Sequence, residues 1–195
     1  ADVKEDDGQD PEPGAQLVEN LVEKDKVSFI TGVTSSDVMM AMARPLSRSG
    51  VLFVGSNAGP APLAGRQCNN RFVFTSSQDE YQAGIAGRYA VDKGWWKTLF
   101  LAPDSPSGRD QLRGFRHFYS GEVVSELHAR PGQADYSAEL AKIKSVAPDA
   151  VVAFLPGQMG VDFIRQMNRS GLLGKVPLLT IGTVDGTTLP LLGDA

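Results

Sequence analysis

Two stretches concentrate the polar chemistry of this chain. In VSFITGVTSSDVMM (residues 27–40) an apolar run ends at Gly32, and Thr34, Ser35 and Ser36 stand directly before a helical pattern. In VLFVGSNAGPAP (residues 51–62) a second apolar run empties into Ser56, Asn57, Ala58 and Gly59. If the two runs are parallel neighbouring strands, both turns lie at one carboxyl edge, which is where open α/β sheets bind ligands. A helix N-terminus at the same edge favours anions. Small hydroxyls, an amide and backbone N–H groups suit a carboxylate or a similar polar head group. They include no general base and no nucleophile.

Three further strand ends carry similar turns. APDSPSGRD offers Asp104, Ser105, Ser107 and Gly108, AFLPGQMG offers Gly157 and Gln158, and TIGTVDG offers Gly182 to Asp185. Each alone is explained by turn chemistry, and Ser35–Ser36–Asp37 also reads as a helix N-cap. Five such turns are what two facing lobes need in order to close over a ligand. The candidate ligand-binding set is therefore Thr34, Ser35, Ser36, Asn57, Ala58 and Gly59 from the first lobe. Ser105, Ser107, Gly157, Gln158 and Asp185 are the candidates from the second.

Catalysis finds little support. Of the two histidines, His117 lies in a helical pattern and His128 near a strand end, neither at a strand-to-helix turn where a base would meet a nucleophile. GSNAG around Ser56 lacks the G-x-S-x-G order of a nucleophile elbow. Residues Gly171–Lys175 break the phosphate-loop spacing, and no G-x-G-x-x-G or paired metal-ligand spacing occurs. No catalytic residue, cofactor or metal is expected. An α/β-hydrolase-like enzyme would require a Ser–His pairing that the chain does not offer. Phe72, Phe74, Phe100, Phe154 and Phe163 read as core, Trp95 and Trp96 as the seat of a helix end, and Tyr81 as a cleft-facing candidate.

Composition narrows the partners. With 42% hydrophobic and 22% charged residues among 195, a packed globular core is expected. The net charge of −4 and the scatter of Lys and Arg argue against nucleic acid. No apolar run is long enough to span a bilayer. A single cysteine, Cys68, forbids an internal disulfide. It is expected as a buried or half-buried thiol, unless it pairs with a cysteine outside this chain.

Positioning these turns requires alternating strands and helices. Strands are expected at 27–31, 51–55, 71–75, 97–102, 122–127, 149–155 and 177–181. Helices are expected at 13–24, 36–48, 79–93, 108–119, 135–146, 159–170 and 186–193. Such alternation predicts βαβ crossovers and parallel sheets covered on both faces, an α/β fold of two Rossmann-like lobes. The change of lobe is placed near Thr75–Gln78, giving a partial N-terminal lobe at 1–76 and a second lobe at 77–195. Three strands are few for the first lobe, so either a swapped partner chain (a dimer) or flanking sequence is expected to complete it. The opening ADVKEDD reads as the exit of a strand whose neighbour lies earlier, and both chain ends read as cut.

These motifs, in order, resemble a known family. DDGQDP, LVEKDKVSFITGVTSS, SNAGPAPL, RFVFTSSQDEYQA, APDSPSGRD, QADYSAELAKIKSVAPDAV and FLPGQMGVDFIRQ together look like the type I periplasmic solute-binding proteins of the leucine/isoleucine/valine-binding kind, which serve ABC importers. The resemblance implies two α/β lobes joined by three crossovers, with a small-molecule ligand in the cleft between them. It also implies hinge closure, a membrane permease as partner, and a periplasmic or lipid-anchored extracytoplasmic location. It places a ligand carboxylate at Ser36 and its neighbours and an amino-acid head group at Asn57–Gly59. A ligand-sensing regulatory domain on the same fold is the alternative function.

The departures from the family pattern concern the ligand. The family's amino-acid binders carry a tyrosine in the loop matching Asp104–Gly108, an acidic residue at a position matching Gly182, and an aromatic where Gly157 and Gln158 stand here. The nearest acid is Asp185. A desolvated ammonium without a partner is costly. An aromatic or aliphatic acid, or a neutral amide, therefore fits the visible residues better than a standard amino acid.

Overall fold

The computed structural model describes residues 2–193, which form two compact units dividing between Asp79 and Glu80. Each unit is a parallel sheet built by strand–helix alternation. Order along the chain is α1 (Pro11–Glu23), β1 (Phe29–Gly32), α2 (Ser36–Ser49), β2 (Leu52–Gly55), α3 (Ala61–Ala64), β3 (Phe72–Phe74) and α4 (Asp79–Asp92). It continues through β4 (Lys97–Pro103), α5 (Pro106–Phe118), β5 (Glu122–Ala129), α6 (Ser137–Val146), β6 (Ala150–Ala153), α7 (Gln158–Arg169), β7 (Leu178–Thr180) and α8 (Leu189–Leu192).

In the first unit β1, β2 and β3 lie side by side, with Ile30 beside Phe53 and Phe53 beside Phe72. Ile30 and Phe53 point to one face, where α2 supplies Val38, Met39, Met42 and Leu46 and α1 adds Val18. The edge-on contacts of Phe53 with Phe72 and Phe74, at 6.0 and 6.3 Å, close this core from the sheet side. α1 begins on an Asp10 cap whose carboxylate accepts from Glu12 N–H, with Pro11 preset for the first turn. α2 ends at Gly50, which adopts the left-handed conformation of a helix stop.

The second unit has the order β5–β4–β6–β7, all parallel. Its central strands are apolar on both sides, as a doubly covered parallel sheet requires. Leu99, Leu101, Val151 and Ala153 pack with α6 and α7, while Phe100, Ala102 and Val152 pack with α4 and α5. α4 and α5 approach closely because both present glycines. A Cβ on Gly114 would lie 2.0 Å from the Glu80 carbonyl oxygen, and one on Gly87 would lie 2.4 Å from that of Phe115. Arg113 on α5 holds the two helices together by donating to Glu80 at 2.6 Å and to Asp110.

Several sequence-based expectations are corrected here. Residues 2–7 form no strand, because no neighbouring strand offers them a ladder among the described residues. Cys68 is exposed rather than buried, since it stands in the irregular stretch between α3 and β3. α3 is an additional four-residue helical turn between Pro60 and Gly65. Phe100 and Phe163 are core residues, whereas Phe72, Phe74 and Phe154 are only half-buried. Trp96 is exposed, while Trp95 stacks edge-on against Tyr89.

Candidate functional site

The carboxyl edge of the first sheet is built from three strand exits that are stitched together by backbone hydrogen bonds. Ser56 N–H donates to Gly32 C=O at 3.3 Å, and Ala58 N–H donates to Val33 C=O at 3.1 Å. Asp79 N–H donates to Gly59 C=O at 2.8 Å, tying the second turn to the third. The turns after β1 and β2 therefore do converge, as the paired motifs require.

Within that edge the polar side chains have separate tasks. The N-cap of α2 is Ser35, whose Oγ accepts from Val38 N–H at 3.4 Å. Ser36 is the first helical residue and is buried. Its hydroxyl donates to Asp79 Oδ2 at 2.6 Å, across 43 positions of sequence. A serine hydroxyl has one proton to give. With that proton committed to Asp79, Ser36 cannot also donate to a ligand carboxylate, and the reading of Ser36 as a carboxylate donor is revised. Thr34 and Asn57 are exposed, and Ser35 is half-buried with its proton still available after capping. Ala58 is buried, and Gly59 is packed against the Ser77 carbonyl, where a Cβ would stand 2.3 Å from the oxygen. These two shape the turn that presents Asn57.

Two residues at this edge escaped the sequence reading. Val33 has φ of 68°, a left-handed conformation that is an outlier for a β-branched side chain and costs on the order of 1–3 kcal/mol. It is held there by the bond from Ala58. Ser76, after β3, has a buried hydroxyl that finds no partner among the described residues.

The second unit has a reversal of strand order between β4 and β6, since β5 lies on one side of β4 and β6 on the other. A switch point of this kind places the ligand-binding crevice at the carboxyl ends of the two central strands. Ser105, Ser107, Gly157 and Gln158 stand there. Ser105 is buried and caps α5, accepting from Gly108 N–H at 3.2 Å and pairing with Ser107 Oγ at 2.9 Å. Gly157 has φ of 61° at the start of α7, and Gln158 is exposed with its amide donating to Asp162 at 2.8 Å. Tyr81 is exposed on α4.

Asp185 follows β7 rather than either central strand, and its carboxylate is engaged within its own loop. It accepts from Thr187 N–H at 2.7 Å, Thr188 N–H at 2.8 Å and the Thr187 hydroxyl at 2.7 Å. The Thr187 hydroxyl first, and then the two N–H groups, lower its pKa to about 2. The loop stabilisation this gives is therefore complete above the ordinary aspartate range near pH ~3.9. It is lost as pH falls through about 2. Asp185→Asn should speed amide exchange at Thr187 and Thr188 at neutral pH. Acidifying the unmutated protein from pH 4 to pH 2 should do the same. Unchanged exchange in both cases would contradict the assignment.

Among the described residues no group of three or more His, Cys, Asp and Glu side chains is placed to hold a metal, and no helix is long and apolar enough to cross a membrane.

Comparison with known proteins agrees with this architecture. The Leu/Ile/Val-binding protein homolog 6 of Brucella melitensis is 27% identical over 192 residues, 95% of this chain but 48% of that protein. The chain thus spans about half the length of the curated relatives it matches. A solute-binding protein of an R. palustris ABC transporter, solved in complex with benzoate, superposes with a TM-score of 0.92 at 26% identity, covering 98% of this chain and 54% of that one. A second R. palustris solute-binding protein, solved with 4-hydroxybenzoate, gives 0.88 at 26% identity over 95% and 52% of the two chains. The family model described as periplasmic binding protein matches residues 3–195. With its parallel sheets, helix-covered core and ordered motifs, this chain belongs to the periplasmic binding protein family.

Proposed function

We propose that the protein is the extracytoplasmic solute-binding component of an ABC importer, that it works with a membrane permease, and that it binds rather than transforms its ligand. The observation that carries this reading is the stitched edge of the first sheet, which fixes Thr34, Ser35 and Asn57 around the N-terminus of α2. Hydroxyl and amide donors beside a helix N-terminus stabilise a carboxylate. The same edge offers no base–nucleophile pair for turnover.

The ligand is a small carboxylic acid or amide. The Thr34 and Ser35 hydroxyls and the backbone N–H groups of α2 bind its acidic oxygens, and Asn57 contacts the remaining polar group. Asp185, the acid once considered for an ammonium, is engaged by Thr187 and Thr188, which counts against an α-amino acid. The aromatic acids bound by the two R. palustris proteins support the same ligand class. In the second unit, Ser105, Ser107, Gly157 and Gln158 at the switch point are assigned to the remainder of the ligand.

The test is calorimetric titration and thermal denaturation of the full-length protein with benzoate, 4-hydroxybenzoate, aliphatic acids, amides, leucine, isoleucine and valine. A saturable one-to-one complex with an acid or amide is expected, stabilising the fold by about 2.7 kcal/mol at a hundredfold excess over Kd. Binding confined to the α-amino acids would overturn the ligand class. No binding to any of them, together with turnover of an ester or amide, would overturn the binding function itself.

A further inference from the structure

The first sheet is unfinished on two sides, and both sides describe the same missing neighbour. β1 is an edge strand, paired only with β2. The Gly32 carbonyl accepts from Ser56 on the β2 side. Peptide groups alternate sides along a strand, so those of Phe29 and Thr31 point to the opposite edge. There they meet a groove of about 1120 Å³, bounded on one side by β1 and on the other by the acidic segment from Asp2 to Asp7. Its floor is apolar, with Leu17, Leu21, Ile30 and Met42. One strand residue occupies roughly 160 Å³, from a rise of ~3.3 Å, a strand spacing of ~4.8 Å and a sheet thickness of ~10 Å. The groove therefore holds a strand of roughly seven residues.

The second unfinished side is a sheet face. Phe29, Leu52 and Val73 share the face opposite the α2 core and are 58%, 39% and 48% exposed. Parallel sheets are covered on both faces, as the second unit's sheet is by α4 and α5 on one side and α6 and α7 on the other. A strand laid against β1 and a helix returning over Phe29, Leu52 and Val73 would complete both sides as one strand–helix unit.

We propose that the groove beside β1 is the docking site for an apolar β-strand of the same polypeptide, and that the accompanying helix covers the Phe29–Leu52–Val73 face. The length of the relatives, about twice that of this chain, leaves ample sequence for such a unit. A second copy of this chain fits the site poorly. Two β1 edges brought together would oppose two walls that each carry Asp2, Glu5, Asp7 and Asp25 against only Lys4 and Lys26. Like charges brought together in this way repel. Each copy, moreover, offers only strands already built into a sheet. An intramolecular strand needs only an apolar centre and a tolerance for acidic neighbours at its flank.

Amide hydrogen exchange on the full-length protein tests the proposal. The amides of Phe29 and Thr31 should be protected on the order of 100-fold or more beyond loop amides, approaching the protection of Ile30 and Phe53. Phe29→Lys in the same protein should lower the melting temperature by roughly 10 °C or more, since a charge would then be buried under the helix. Loop-like exchange at Phe29 and Thr31 would overturn the proposal, as would a Phe29→Lys melting temperature within 2 °C of the parent. Protection that disappears on dilution, with a matching fall in sedimentation coefficient, would assign the groove to a second copy and equally overturn it.

Discussion

Asp79→Ala should cost the first unit about 3 kcal/mol, the upper end of the range for a hydrogen bond to a charged partner. The carboxylate is buried, accepts the Ser36 hydroxyl at 2.6 Å, and stands at the residue whose N–H donates to Gly59. Its removal frees the start of α2 from the start of α4 and loosens all three turns at once. Ser36→Ala should cost less, about 1–2 kcal/mol, because Asp79 retains its other contacts. A double-mutant cycle read by denaturant unfolding should then give a coupling of about 1–2 kcal/mol between the two sites. Additivity within ~0.3 kcal/mol would mean that the bond contributes nothing, and the three-turn edge would lose its central tie.

The second large effect is expected at Gly59. A methyl group there would sit 2.3 Å from the Ser77 carbonyl oxygen and 3.1 Å from Gln78 Cα, both backbone atoms with no rotamer through which to withdraw. Gly59→Ala should therefore cost about 2–3 kcal/mol, the range for overpacking a site that cannot yield. It should also weaken ligand binding, since the turn that must shift is the one carrying Asn57. Gly186→Ala is the control, because a Cβ there meets nothing within 4 Å, and its melting temperature should lie within about 1 °C of the parent. Equal melting temperatures for the two variants would show that the turn after β2 is more pliant than its contacts imply.

Much of the architecture was legible because it depends on local pattern. β6 is a continuous apolar run, Ala150–Ala153, and a strand buried on both faces has to read that way. α2 announces itself through Ser35, its helical apolar spacing and Gly50. The elements of the second unit follow the same logic, and their bounds differ from the expected ones by a residue or two. The sheet edge was legible as well, since both polar turns carry residues suited to strand exits.

What remained hidden depends on distant or conformational facts. Nothing local marks Asp79 as the partner of Ser36, because the bond closes a loop of 43 positions. The sequence shows three adjacent polar residues, Thr34 to Ser36, but not that one is turned inward and spends its proton on a buried acid. Val33 is the least suitable residue type for its backbone angle, so its conformation is set by the bonds around it rather than by its own preference. Asp185 looks like a free acid in sequence. Only the folded loop shows the two threonines that occupy it.

The strained backbone at Val33 bears on how the protein would meet its ligand. A turn held against its own preference before any ligand arrives has no ordering left to undergo on contact. The amides and hydroxyls beyond it already face their final directions, and the entropy of arranging them was lost during folding. Recognition by such an edge resembles a key meeting a cut lock more than a hand closing on an object. A rigid edge of this kind favours ligands that are themselves stiff and planar over flexible chains that must be frozen to fit.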